Sequence, residues 1–252
     1  MSTLQAALTP RLADPVSALP LTHSTAWSSF VEILRDGRLR PSLSPLFTTP
    51  FSYLFYGSVA NRASREREAW TQGHPVVLLF RPSAMQHVTS FYPFDTGALA
   101  SGRLGSEHVA HWPEYIRLFG LDARVISPEQ YVAFAYGSNE AYLRGEVSPG
   151  LLAEPSPMPL LYNIVRGNRS AGTDHRRYAI ECHSAVGIEL DALEQVWIPR
   201  ARLAALHKLG FSSQFPQVDV NLYDDGIQDG ALEPALRAAI IQSIARYPHE
   251  PQ

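Results

Sequence analysis

The spacing of backbone-breaking residues constrains this chain most: 20 prolines and 16 glycines are spread along its 252 residues. Proline removes a backbone donor and disfavours helix in the residue before it, and glycine commonly marks turns. Most elements must therefore be short. The chain shows no internal repeat and no low-complexity tract, so we predict a single domain over residues 1–252.

Apolar and amphipathic runs follow one another without regular alternation, which favours an α+β fold over a doubly wound sheet. Short apolar or alternating runs predict strands at residues 76–80, 159–165, 176–184, 186–190 and 196–199. Helical spacing and capping signals predict helices over 25–36, from Ser127 onward and over about 234–246. Ser24 or Thr25 is expected to cap the first helix and Gly37 to end it, and the proline-rich run 150–159 predicts a loop.

Composition is that of a folded domain, with 45% hydrophobic and 18% charged residues. The net charge of −3 gives no general attraction to phosphate backbones, so a nucleic-acid partner would need a local basic patch. The arginines at 62, 65 and 67 interleave with glutamates at 66 and 68, a pattern typical of a solvated helix face.

Cysteine and hydropathy patterns favour a cytoplasmic protein. Cys182 is the one cysteine, so no internal disulfide is expected. The first 20 residues lack the basic start and apolar run of a signal peptide, and no stretch reaches the roughly 18 apolar residues of a membrane helix. We expect no membrane partner.

Common catalytic motifs are absent from the sequence. The chain has no G-x-x-x-x-G-K-[ST], G-x-G-x-x-G, G-x-S-x-G or H-E-x-x-H, which argues against the usual phosphate loop, dinucleotide fold, serine-hydrolase elbow and zincin helix. His108 and His111 lie three apart beside Glu107, but a metal needs three or four converging ligands and no further set stands out. We predict no metal site.

Two stretches carry candidate chemistry. Residues 51–62, FSYLFYGSVANR, place four aromatic rings before Gly57, and these rings are either core or a platform for a planar ligand, which the glycine would let approach the backbone. In RRYAIECHS, strand alternation sends Ala179, Glu181 and His183 to one face. Glu181 is then either a solvent-facing carboxylate or one aimed into a cleft to stabilise developing positive charge.

Several features in chain order resemble the ADP-ribosyltransferase superfamily. They are His23 with Thr25 two residues on, a helix ending ILRDGRLRPS, the Tyr-x-Phe-Tyr-Gly step at 53–57, the strand with an isolated Glu181, and a late VWIP strand. More closely, the chain is similar to an uncharacterised bacterial family within it that carries YLFYGRPAYR and PFDTGA. This chain has YLFYGSVANR at 53–62 and PFDTGA at 93–98, and the resemblance spans residues 20–205.

The resemblance implies ADP-ribosyltransferase-like split antiparallel β-sheets with peripheral helices, a bent pair with helix 25–36 on one face, and a helical insertion at 99–158. It implies an enzyme that uses NAD as substrate and transfers ADP-ribose to a protein, a nucleic acid or water. The implied binding residues are His23, Thr25, Tyr53, Tyr56, Gly57 and Arg62, with Tyr53 or Tyr56 stacking on nicotinamide. Glu181 would be catalytic, steadying the oxocarbenium-like centre as nicotinamide departs.

The chain departs from that family at Ser58, Val59 and Asn61, where the family has Arg, Pro and Tyr. If those residues normally handle phosphate or base, the departure puts NAD affinity in question. The alternative is a catalytically inactive nucleotide- or protein-binding module on the same fold. An RNA 2′-phosphotransferase would need a converging basic cluster, which the sequence does not show. Asp95, Thr96 and Gly97 form an expected turn whose side chains either cap locally or line the cleft.

Overall fold

A computed structural model describes residues 2–60, 74–167, 174–224 and 232–245. The strands are Leu21–Thr25 (β1), Arg38–Leu39 (β2), Ser42–Ser44 (β3), Phe47–Tyr56 (β4), Val76–Phe80 (β5), Ser90–Tyr92 (β6), Leu121–Asp122 (β7), Glu181–Ser184 (β8), Ile188–Glu189 (β9), Leu193–Pro199 (β10) and Asp219–Tyr223 (β11). The α-helices are Leu4–Leu8 (α1), Trp27–Asp36 (α2), Thr96–Ala100 (α3), Trp112–Phe119 (α4), Pro128–Tyr136 (α5), Asn139–Leu143 (α6), Met158–Arg166 (α7), Leu203–Lys208 (α8), Phe211–Gln214 (α9) and Leu232–Ala245 (α10).

Most strands join one hydrogen-bonded path in the order β11-β10-β5-β1-β4-β8-β6-β7, and β3 adds to β4. Neighbours in this path are antiparallel except β10 and β11, which are parallel. Strands β2 and β9 form a separate small sheet. The predicted α+β class is confirmed.

At β1 the two neighbouring strands of the large sheet, β5 and β4, begin to separate. This strand pairs with β5 along its whole length, from Leu21 to Thr25, but its register with β4 covers only Leu21 and Thr22. The β5 half and the β4 half of the sheet therefore share one short seam and separate after Thr22. In place of the expected pair of antiparallel sheets, the structure has one mixed sheet with two halves, and the β5 half includes the parallel pair β10 and β11.

Helix α2 begins two residues later than the sequence pattern predicts. Ser24 and Thr25 continue β1 by pairing with Val77 and Val76, so neither caps the helix, and Ala26 takes the cap position without a side-chain bond. The helix ends as predicted at Gly37, whose φ of 68° is the left-handed conformation that glycine tolerates.

The strand predicted at 159–165 is wrong, because these residues lie in helix α7. Its buried residues Met158, Leu161, Tyr162 and Val165 recur at helical spacing, and a short apolar run does not by itself distinguish a strand from a buried helix. The loop predicted at 150–159 contains the end of a 3-10 helix, Pro149–Ala153, and the start of α7.

Two other predicted strands are shorter than expected. In the run 176–184 only Glu181–Ser184 is a strand, because residues 175–177 form a 3-10 turn capped by Asp174. In the run 186–190 only Ile188–Glu189 is extended. The strands at 76–80 and 196–199, the capping box at Ser127 and the last helix are confirmed.

Residues 99–158 contain helices α4, α5 and α6 with the short strand β7. Their status as an insertion stays a prediction, as does the single-domain boundary 1–252. Across the described ranges, no helix combines the length and apolar character needed to cross a bilayer.

Candidate functional site

Glu181 lies in the middle of the β4 half of the sheet. Its strand β8 pairs with β4 and β6, which places Glu181 directly opposite Phe55 on one side and Tyr92 on the other. Residues opposite each other in antiparallel strands share a face, so the carboxylate lies among aromatic rings. The residue is only 1% exposed, so the solvent-facing interpretation of Glu181 is wrong.

Three hydrogen bonds hold the Glu181 carboxylate. The Thr96 backbone N–H donates to Oε2 at 2.9 Å, the Thr96 hydroxyl donates to Oε1 at 2.7 Å, and His183 Nε2 lies 2.7 Å from Oε1. Burial by itself raises the pKa of Glu181, but the interactions with His183 and Thr96 outweigh it and hold the pKa below its ordinary value. The carboxylate is therefore an acceptor only, and Nε2 of His183 must carry the donated proton.

The PFDTGA stretch supplies the Thr96 side of this arrangement. Asp95 Oδ1 accepts the Ala98 N–H at 2.8 Å and caps α3, while Thr96, the first residue of the helix, contacts Glu181. Both alternatives predicted for this turn therefore occur: Asp95 caps the helix locally, and Thr96 lines the site. No local pattern in the sequence links this stretch to Glu181, because Thr96 and Glu181 are 85 positions apart.

His183 was missed as a functional residue, although alternation had placed it on the Glu181 face. Its ring is enclosed by four aromatic rings, with centroids at 4.8 Å (Phe47), 4.9 Å (Phe51), 5.0 Å (Tyr53) and 5.3 Å (Tyr92). Its Nδ1 is buried and has no hydrogen-bond partner in the described part of the chain. The sequence signal that could have identified His183 is its position two residues after Glu181 on one strand, which places both side chains on the same face.

Tyr53 and Tyr56 point to opposite faces of β4. Tyr53 is paired with His183 and packs against its ring, whereas Tyr56 is fully buried on the other face, where its ring lies 6.1 Å from that of Tyr142. The Tyr56 hydroxyl accepts the Leu19 N–H at 3.0 Å, and burial raises the pKa of Tyr56 well above its ordinary value. Tyr56 is thus a core residue, and Tyr53 is the one of the two that lies on the Glu181 face, beside His183.

His23 lies at the opening of the sheet, one residue beyond the last pair between β1 and β4. Its Nδ1 is 2.8 Å from the Tyr53 carbonyl oxygen, so Nδ1–H donates across the gap between the two halves. The structure thereby connects His23, Tyr53, His183 and Glu181 through successive contacts. Thr25 lies at the far end of β1, half-buried and paired with Val76.

Gly57 follows β4 with a φ of 57°. Its N–H donates to the Pro20 carbonyl at 2.8 Å, and a β-carbon here would overlap the Leu19 side chain. This close packing and the positive φ account for the glycine. A ligand role for Gly57 stays a prediction.

Of the three positions at which the sequence differs from the YLFYGRPAYR stretch, the structure describes Ser58 and Val59. Ser58 and Val59 are both buried, and Thr22 donates its hydroxyl to the Ser58 carbonyl, so neither side chain supplies a cation to the site. Asn61, Arg62 and the charged run predicted as a solvated helix face lie outside the described residues.

The histidine pair considered for a metal has other contacts. His108 is buried with Nε2 at 3.5 Å from Glu107 Oε1, and His111 stacks on Tyr115 at a centroid distance of 6.0 Å. Within residues 2–60, 74–167, 174–224 and 232–245, no group of three or more potential ligands is arranged to hold a metal.

His175 holds the backbone next to the site. Its Nε2–H donates to the Val59 carbonyl at 2.9 Å, joining the chain after Gly57 to the segment that leads into β8. Burial, with a smaller contribution from the Arg237 charge, lowers the pKa of His175 to about 4.

This shift predicts a pH-dependent stability. The folded pKa of about 4 lies below the ordinary 6.5, so the unfolded chain takes up a proton first and stability falls as the pH drops below 6.5. Between about pH 7 and 5 we expect a loss of about 1 kcal/mol, less than the full linkage value because His175 is partly exposed. Urea unfolding measures it, with His175→Gln as a control that keeps the Val59 donor but does not titrate. An equal pH slope in both proteins contradicts the assignment.

Comparisons with known proteins find similarity to solved structures alone. No family model matches the chain, and no curated protein matches it. "Thermus sp. 2.9 DarT in complex with NAD+" is 12% identical with a TM-score of 0.42, covering 85% of this chain and 98% of that one. The same protein in complex with carba-NAD+ gives 12% and 0.43, covering 82% and 97%. Its complex with ADP-ribosylated ssDNA gives 11% and 0.38, covering 85% and 98%.

Proposed function

We propose that this protein is an NAD-dependent ADP-ribosyltransferase that cleaves the bond between nicotinamide and ribose. The observation that carries the proposal is the buried carboxylate of Glu181, held by hydrogen bonds from Thr96 and His183 on the face of the sheet that also carries Tyr53. Cleavage of this bond develops positive charge on the ribose, and a preorganised anion in a water-poor site stabilises that charge more than it stabilises bound NAD.

Glu181 retains capacity for a ligand. A carboxylate has about four acceptor positions, and the three hydrogen bonds described leave one of them, on Oε2. We assign that position to a ribose hydroxyl of NAD. Because Glu181 itself is nearly inaccessible, substrate contact requires neighbouring aromatic rings to move. Tyr53, Phe55 and Tyr92 on this face each keep a small exposed surface, at 8%, 7% and 8%.

The remaining roles follow the sequence resemblance. Tyr53 rather than Tyr56 is assigned to nicotinamide, because Tyr53 lies on the Glu181 face and Tyr56 lies in the core. His23 is assigned to the nicotinamide ribose or amide edge at the opening of the sheet. Thr25, Gly57 and Arg62 complete the proposed NAD-binding set.

The acceptor is a macromolecule, protein or nucleic acid, or water. The net charge of −3 gives no general attraction to nucleic acid, so acceptor recognition must be local. We assign it to residues 99–158.

Nicotinamide release from NAD tests the proposal. The purified protein is expected to release nicotinamide, measured by chromatography, and Glu189→Gln is expected to behave like wild type. Glu189 is the matched control because it is an exposed carboxylate on the next strand, ion-paired with Arg38 at 3.8 Å. Calorimetric binding of NAD without release would instead indicate the inactive binding module, and absence of binding would contradict both.

A further inference from the structure

The Glu181–His183 pair is fixed more tightly than a buried carboxylate requires. Thr96 already satisfies both oxygens of Glu181 by donating to each of them. His183, two residues along the same strand, adds a second donor to Oε1. A carboxylate held from two elements cannot rotate about its terminal bond without breaking at least one short hydrogen bond.

The surroundings of His183 fix its orientation. Phe51 stacks on the imidazole with an interplanar angle of 26°, and Phe47 and Tyr53 pack at 82° and 75°. These rings come from β4, and Tyr92 closes the group from β6. With Nε2–H committed to Glu181, Nδ1 is left as a buried acceptor without a partner in the described ranges. Such an atom calls for an explanation beyond packing.

We propose that His183 is a positioning residue for the reaction of Glu181: its Nε2–H holds Oε1 so that the carboxylate keeps one orientation and presents the remaining Oε2 position to the substrate. This inference rests on the proposed function. It assigns the aromatic rings around His183 the role of holding the imidazole in that one orientation.

Few other titratable groups lie against Glu181 and His183 in the described part of the chain. Glu181 has His183 on its own strand and lies opposite Tyr92 of β6, Tyr53 of β4 lies opposite His183, and Thr96 on α3 does not titrate. Burial, together with the Glu181 charge, raises the pKa of Tyr92 to about 12, so Tyr92 stays neutral in the working range. An acidic limb in the pH profile of turnover that moves when residue 183 is changed therefore reports on Glu181.

Matched variants at position 183 test the proposal. His183→Leu keeps apolar volume without a donor, whereas His183→Gln places an amide N–H near the position of Nε2. We expect His183→Leu to lower kcat roughly 10- to 100-fold with KM within about twofold and to move the acidic limb to higher pH. We expect His183→Gln to recover most of kcat. Cys182→Ala, a buried truncation on the same strand and the opposite face, should lower Tm without changing kcat.

Nuclear magnetic resonance on the full chain without NAD distinguishes a failure of the positioning role of His183 from a failure of the proposed function. Histidine labelled with ¹⁵N should show His183 protonated at Nε2, and this readout does not depend on activity. A proton on Nδ1 instead, or equal kcat and acidic limbs in wild type, His183→Leu and His183→Gln, overturns the positioning role. Protonation at Nε2 with no nicotinamide release confirms the hold on Glu181 and overturns the proposed function together with any role in that reaction.

Discussion

Glu181→Gln is expected to lower turnover of NAD by roughly 10²- to 10³-fold while leaving the NAD dissociation constant nearly unchanged. The carboxylate charge acts mainly on the positive charge that develops in the transition state, and bound NAD does not yet carry that charge on the ribose. The measurement compares kcat from nicotinamide release with the dissociation constant from calorimetry. A loss in kcat alone is the signature of an interaction made in the transition state.

Glutamine at position 181 can keep the hydrogen bonds to Thr96 and His183 while removing the charge. The glutamine oxygen can occupy the Oε2 position and accept the Thr96 N–H, while its amide occupies the Oε1 position and donates to the Thr96 hydroxyl. His183 then accepts at Nε2 after its proton moves to Nδ1. The variant should therefore fold, and a lower Tm with unchanged kcat would mean that Glu181 only ties β8 to α3.

The second large effect separates the two tyrosines of β4. Tyr56→Ala is expected to cost about 3 to 5 kcal/mol of the free energy of unfolding, because it removes a fully buried ring. It also leaves the Leu19 N–H without its acceptor. Chemical denaturation measures this cost.

Tyr53→Ala is expected to weaken NAD binding roughly tenfold through lost ring stacking, with a smaller stability change than Tyr56→Ala. Tyr53→Phe is the matched control, because it retains the ring and should retain binding. If Tyr53→Ala binds NAD as tightly as wild type, Tyr53 is only part of the enclosure around His183, and the assignment to nicotinamide is wrong.

Local signals in the sequence were reliable where neighbouring residues alone decide the structure. The helix end at Gly37 needs only a left-handed glycine, and the capping box at Ser127 is closed by Gln130 within one turn. The alternation that placed Glu181 and His183 on one face is likewise a property of a single strand. The α+β class followed from the order of such short elements.

Tertiary structure decided everything that depends on partners far apart in the chain. The sequence marked Glu181 as unusual, but its burial depends on β4 and β6, and its fixed orientation depends on Thr96, 85 positions away. The apolar run 159–165 is a helix, although a short apolar run is compatible with either a buried helix or a buried strand. Packing against the rest of the chain decides between the two. The choice between Tyr53 and Tyr56 follows from which face of β4 meets β8, since long-range pairing, rather than local preference, determines what each side chain contacts.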